Sequence, residues 1–356
     1  MARKRGKRLL ITLLCLALAV PAGFGIYRLI DYLTTTSGDY RFVVLEDGTA
    51  EIRNYRGRAT KLELPSVLKE HPVTRVGAKA FNWRFYVTDV AIPRGVTAID
   101  EGAFAGCHAL TGLTLPGTLE AIGESAFSGC RKLAKVALPN GLKALGGRAF
   151  DQCAALTDIA IPASVADIPA NPFTRCDHLT GLTVADGHPF LSIDDGMLYD
   201  TANSRLICCP AARVEGALVL STPTKAIGDS AFYRCERLTD IALPDGLETV
   251  MDHAFSGCTR LNAIELPAGV TAIGNAAFSG CTGLSRVVIP DSVTQIGYLA
   301  FYDCASLTEI AIPESVAVIG DGAFIGCRGI TVAVAPGSFA ERYCQSNGLE
   351  YRYLQG

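Results

Sequence analysis

The stretch Leu110-x-x-Leu113-x-Leu115-Pro116-x-x-Leu119-x-x-Ile122-Gly123-x-x-Ala126-Phe127-x-x-Cys130 decides the fold, because its pattern returns along most of the chain. Phenylalanine stands at Phe81, Phe104, Phe127, Phe150 and Phe173, then at Phe232, Phe255, Phe278, Phe301 and Phe324, with 23 residues between neighbours in each run. From Phe104 onward a cysteine follows three residues later, at Cys107 through Cys176 and at Cys235 through Cys327. Fixed self-similarity of this length marks a solenoid: one unit cannot bury its apolar face alone and must stack on its neighbours.

Within one unit the alternation Leu113-x-Leu115 has period two, so a short strand turns both leucines inward. Pro116 ends that strand by removing a donor. Leu119 and Ile122 form a second short extended or turn segment, and Gly123 allows the corner. Ala126 and Phe127 are expected on a turn of helix or 3-10 helix that closes the coil. Stacked coils place their strands in parallel about 4.8 Å apart. Phe, Leu, Ile and Cys then form ladders in one continuous core. The expected class is an α/β-type solenoid with short parallel strands and short helical or 3-10 segments.

This pattern resembles the BspA-like leucine-rich repeats of bacterial surface proteins. It covers roughly residues 59–336, about eleven coils. The resemblance implies cell-surface adhesion or host interaction. The asparagine of other leucine-rich repeats is replaced by small residues such as Gly95, Thr118, Gly141, Ser164, Ser292 and Ser315, so no asparagine ladder is expected.

The period breaks once. Phe173 and Phe232 are two periods plus 13 residues apart, and an insertion is placed at about 185–217. Its run from Phe190 to Tyr199 alternates around Asp195-Gly196, a type I′ hairpin signal. The fourth cysteine-bearing corner also changes, to Ile168-Pro169 with Asn171-Pro172 ahead of Phe173. At the ends, 31–58 reads as a linker and capping hairpin through Asp47-Gly48. Residues 337–356 read as a cap opened by the capping box Ser338-Phe339-Ala340-Glu341 and closed at Asn347-Gly348.

Composition sets the compartment. The chain has 356 residues, 49% of them apolar, and a net charge of −3. Six of the 32 Lys/Arg fall in residues 1–30, which hold no Asp or Glu, so all 35 acidic side chains face only the remaining basic ones. A nucleic-acid partner is therefore not expected. Residues 1–8 are a basic cytoplasmic start, and Leu9–Tyr27 runs without a charge. At about 1.5 Å per residue that run spans roughly 28 Å, close to a hydrocarbon core. Residues 9–30 are expected to be a transmembrane signal anchor that leaves the repeats extracytoplasmic. The alternative is secretion after cleavage near Ala17-Leu18-Ala19, but the apolar run continues beyond that point.

The sequence offers no catalytic constellation. His71, His108, His178, His188 and His253 form no ligand spacing and flank no plausible nucleophile. Asp194-Asp195-Gly196 lacks the further oxygens of a calcium loop. Most of the 13 cysteines fall on the repeat, where a small thiol packs well, and are expected as buried free thiols. Cys208 and Cys209 are expected as one core and one surface thiol. No enzyme activity, cofactor or metal is expected.

The expected role is a membrane-anchored recognition or adhesion module for a protein or glycan at the cell surface. The alternative is an envelope spacer without a specific ligand, since the outward strand positions are small: Ala91, Thr114, Ala137, Ala160, Thr183, Ala242 and Ala311. The candidate partner-binding residues are Trp83, Arg84, Phe85 and Tyr86. Trp83 replaces the corner glycine of later coils, while Phe85 and Tyr86 fill mostly polar positions. Aromatic rings beside an arginine match the composition of a binding hot spot. The competing reading is that the N-terminal hairpin, with Tyr40, Phe42 and Tyr55, folds over them as core.

Overall fold

In the computed structural model, residues 35–220 and 222–354 are described. The basic start, the expected anchor at 9–30 and the first residues of the linker lie outside them. Among the described residues no helix is long and apolar enough to cross a membrane.

The chain winds as a β-solenoid of about 13 turns. Each coil adds a rung to two rows of parallel strands. One row uses the alternating segments: Lys61–Glu63, Asp89–Ala91 and Gly112–Thr114 stack in register, Leu62 on Val90 on Leu113. The other uses the two-residue strands Ala98–Ile99, Ala121–Ile122 and Ala144–Leu145, resumed after the insertion by Ala226–Ile227 through Val318–Ile319.

The third edge corrects the α/β-type expectation. The phenylalanine corner is neither α nor 3-10 helix but a pair of turns with left-handed residues on both sides of the ring, such as Ser125 (φ 54°) and Gly129 (φ 74°) around Phe127. The Phe127 N–H donates to the Ala149 carbonyl of the next coil at 2.8 Å, and the Gly129 N–H to Asp151 at 2.7 Å. Those donors are committed between coils, so no helical i to i−4 ladder can use them. Among the described residues helical geometry is confined to the 3-10 turn Ala211–Arg213 and the α-helix Phe339–Asn347.

The buried rings stack nearly parallel. Centroids are 4.9 to 6.0 Å apart from Phe81 to Phe173, and 4.9 to 5.6 Å apart from Phe232 to Phe324. The cysteine three residues on has a specific task. The Phe104 carbonyl accepts the Cys107 N–H at 3.2 Å and the Cys130 thiol of the following coil at 3.5 Å. Cys258 on Phe232 and Cys327 on Phe301 repeat the thiol bond at 3.2 and 3.1 Å. A small side chain with a weak donor thus occupies the second lone pair of a buried carbonyl. All twelve described cysteines are free and buried. At the strand-to-turn corner, hydroxyls do comparable work: Thr118 donates to Val96, Ser164 to Leu142, Ser292 to Val270 and Ser315 to Val293.

The insertion divides the core, which corrects the expectation of one continuous ladder. Leu191–Asp194 and Met197–Asp200 form the expected hairpin, with Asp195 and Gly196 at φ 44° and 70°. Arg205–Cys208 adds a third strand and pairs in parallel with Ala226–Ile227. This three-stranded layer is buried on both sides. Leu198, Ile207 and Cys208 join the core that contains Phe42 through Phe173, whereas Met197, Tyr199, Leu206 and Cys209 join the core that runs to Cys344. Cys208 and Cys209 therefore both lie inside, not one inside and one at the surface. Cys209 is the missing phenylalanine of the period. Its N–H donates to Ala231 at 2.8 Å, and its carbonyl accepts the Cys235 thiol at 3.7 Å, two of the bonds a corner phenylalanine makes.

At the N-terminal end Tyr40–Val44 pairs with Ala50–Tyr55, preceded by an unanticipated strand Thr35–Ser37. Ala50–Tyr55 runs parallel to His71–Val76, and the Tyr55 ring stacks on Phe81 at 5.4 Å. At the other end Ser338 accepts the Glu341 N–H at 3.2 Å, and Glu341 reaches back to the Gly337 N–H at 2.6 Å. The helix ends at the left-handed Gly348, and Glu350–Tyr353 adds a parallel strand to Thr331–Val334.

Candidate functional site

The first phenylalanine coil builds the candidate site. Its corner requires left-handed backbone two residues after Phe81, as at Gly106 and Gly129, and Trp83 supplies it at φ 59°. The conformation is a property of the corner, since Gln152, Arg175, Arg234 and Asp303 share it. The indole lies over the next coil, where a Cβ on Gly106 would come within 2.6 Å of the ring, and it meets His108 edge-on at 5.6 Å. Glycine at 106 is thus what lets the ring pack against the next coil.

The four candidate residues divide into two pairs. Trp83 and Phe85 are 61% and 64% exposed. Arg84 is drawn inward: its Nε donates to the Tyr55 carbonyl at 3.0 Å and its Nη2 donates to the same oxygen. Tyr86 is half-buried, its hydroxyl donating to the Gly57 carbonyl at 2.6 Å. The hairpin therefore covers Phe81 and grips Arg84 and Tyr86, but it does not close over Trp83 and Phe85. The expectation that Tyr86 faces solvent is corrected by its bond to Gly57. Phe85 stands edge-on to Tyr86 at 5.6 Å, so an exposed ring is braced by an anchored one.

Elsewhere several polar side chains are occupied structurally. His71 and His178 each place Nδ1 2.7 Å from a backbone carbonyl, and His188 Nδ1 accepts from the Phe190 and Leu191 amides. Asp195 pairs with Arg213 at 3.2 Å. Among the described residues no group of three or more His, Cys, Asp or Glu is placed to hold a metal ion. The outward rows at Thr114, Ala137, Ala160 and Ala242 are exposed and small, as expected. Two rings on a hydrogen-bonded turn can bury apolar area against a partner with little ordering cost.

Two further features were missed in the sequence. Asn171 is a buried bridge across the insertion, flagged only by the altered dipeptide Asn171-Pro172. Arg175, Arg234 and Arg237 line one cleft, although 59 residues separate the first two. Only the 23-residue register, carried through the insertion, could have aligned them.

A family model described as BspA type leucine rich repeat region matches residues 74–203 and 218–344 in six copies. Among solved structures, a leucine-rich cell surface protein of Faecalibacterium prausnitzii is 27% identical, with a TM-score of 0.64, over 89% of this chain and 97% of that one. The pneumococcal vaccine antigen PcpA shares the fold at 19% identity and a TM-score of 0.65, over 91% of this chain and 99% of its own. A leucine-rich repeat protein of Bacteroides ovatus follows at 24% identity and a TM-score of 0.50, over 90% and 100%. No curated protein sequence matches the chain.

Proposed function

The chain belongs to the BspA-type leucine-rich repeat family, and from that premise we propose that it is an extracytoplasmic binding module whose partner, a protein or glycan at the cell surface, docks on Trp83 and Phe85. The observation that carries this reading is the exposure of two large rings on one fixed turn, beside an outward strand row that is small at Thr114, Ala137, Ala160 and Ala242. The Faecalibacterium relative being a cell surface protein supports the compartment. In this reading residues 9–30 hold the protein in the membrane, and the N-terminal hairpin and C-terminal helix cover the terminal coils.

Trp83→Gly with Phe85→Ala tests the docking face. Glycine keeps the left-handed corner, so the double variant should melt like the wild type. Its saturable capture of surface extract or matrix should fall by about tenfold or more, the weight of one hot-spot aromatic. Undiminished capture would remove the rings from the function. Membrane retention is tested separately, by protease shaving of intact cells and sedimentation. Protein released into the medium with an N-terminus near Val20 would mean cleavage.

A further inference from the structure

The insertion opens a cleft on the phenylalanine edge. In the coil that carries Cys209, the corner is Pro210 followed by the 3-10 turn Ala211–Arg213, which puts the methyl group of Ala211 where longer side chains stand in adjoining coils. The coil before it raises Arg175 and Asp177, and the coil after it raises Arg234, Glu236 and Arg237. A short floor between tall walls leaves a cleft of about 340 Å³ lined by these six residues. The walls stand two rungs apart, roughly 10 Å. That volume lies at the small end of ligand pockets and suits one ring-sized group.

The charges in the cleft are unequal. Arg234 donates to Glu236 at 2.9 and 2.6 Å, and Arg237 to Glu215 at 2.5 Å. Arg175 has no hydrogen bond or ion pair among the described residues, and its backbone is fixed in the left-handed region at φ 57°. The Asp177 carboxylate is likewise without a hydrogen bond or ion pair among the described residues, so the concave site presents one unpaired guanidinium and one unpaired carboxylate. The carboxylates of Asp177 and Glu236 disfavour a dianionic phosphate there. A planar monoanion matches the guanidinium fork.

We propose that this cleft binds a uronic acid residue of an acidic glycan, with Arg175 taking the sugar carboxylate. Arg234 donates to ring hydroxyls, and Asp177 and Glu236 accept from them. Ala211 is the sole apolar side chain in the lining, so the cleft offers no pocket for the side chain of a peptide. The site is independent of Trp83 and Phe85.

Calorimetric titration of the full-length protein with trigalacturonate tests the assignment. Saturable binding is expected, with the neutral methyl ester failing to bind. Arg175→Gln should raise Kd by about tenfold or more, the weight of a charge-assisted hydrogen bond. Ala211→Phe, which fills the floor, should abolish binding, with circular dichroism and melting confirming that both variants fold. Trp83→Gly with Phe85→Ala should bind trigalacturonate like the wild type, so failure of either site leaves the other standing. Absent saturable binding, or equal affinity in Arg175→Gln, overturns the proposal. So does preference for a peptide C-terminal carboxylate over the sugar.

Discussion

Asn171 Nδ2 donates to the Ser230 carbonyl at 2.9 Å, joining residues 59 apart across the insertion. The same side chain accepts the Phe173 N–H on Oδ1 at 2.9 Å, and its backbone N–H donates to Asp229 at 3.2 Å. Its own carbonyl accepts the Arg148 N–H at 2.8 Å. At 2% exposure, Asn171 is a buried polar residue that bonds coils on either side of the extra layer. Asn171→Ala should cost about 1–3 kcal/mol, because the buried Phe173 N–H loses its acceptor and the Ser230 carbonyl is left with the Tyr233 N–H alone. Hydrogen exchange at the Phe173 amide should rise. Asn171→Asp keeps the acceptor but loses the donor and should also be destabilised. A wild-type melting temperature for the alanine variant would show the bridge to be dispensable.

The divided core predicts divided unfolding. Stability in a solenoid is a sum over coils and their nearest neighbours, so a boundary between cores weakens cooperativity. Phe127→Ala and Phe278→Ala, each about 3–5 kcal/mol, should move different transitions in a denaturant titration. One transition, shifted equally by both, would mean that the three-stranded layer transmits packing instead of interrupting it.

The cysteine ladder predicts an alkaline limit. Burial pushes the Cys107 thiol up to about 12, while the same thiol in the unfolded chain keeps its ordinary value of 9.0. Above about pH 9 the unfolded state loses a proton that the folded state retains, so stability falls with rising pH. The contribution is fully present below pH 9 and declines until pH approaches 12, by at most about 1.4 kcal/mol per pH unit for this thiol. The denaturation midpoint measured from pH 8 to 11 should fall, and Cys107→Ala should shallow that fall. Native thiols should resist alkylation and react once denatured. A midpoint flat across this range would contradict the linkage.

Trp83 predicts a stability difference that isolates backbone from ring. Trp83→Ala and Trp83→Gly both remove the indole, but only glycine relieves the positive φ. The glycine variant should be more stable than the alanine variant by about 1 kcal/mol, the cost of left-handed backbone for a residue with a Cβ. Equal midpoints in urea would argue that the corner relaxes when the ring is gone.

The sequence by itself determined the coil. A 23-residue register of Phe, Cys, Leu and Pro admits one economical arrangement, in which each residue type stacks on its own kind and buries the face a single unit cannot. It also determined the insertion's position and its Asp195-Gly196 hairpin, because local turn chemistry is written in adjacent residues. Tertiary structure decided the rest. The phenylalanine corner is not helical because its amides bond to the next coil, a preference that no single repeat expresses. The insertion became a layer with two buried faces only because coils on both sides supplied apolar surface to Leu198 and to Tyr199. Trp83 stayed exposed because Tyr55 stacks on Phe81 and the hairpin reaches no further than Arg84 and Tyr86. Arg175 and Arg234 face one cleft because Ala211 is short between them. These are contacts between residues far apart in sequence, and their geometry exists only once the coils have stacked.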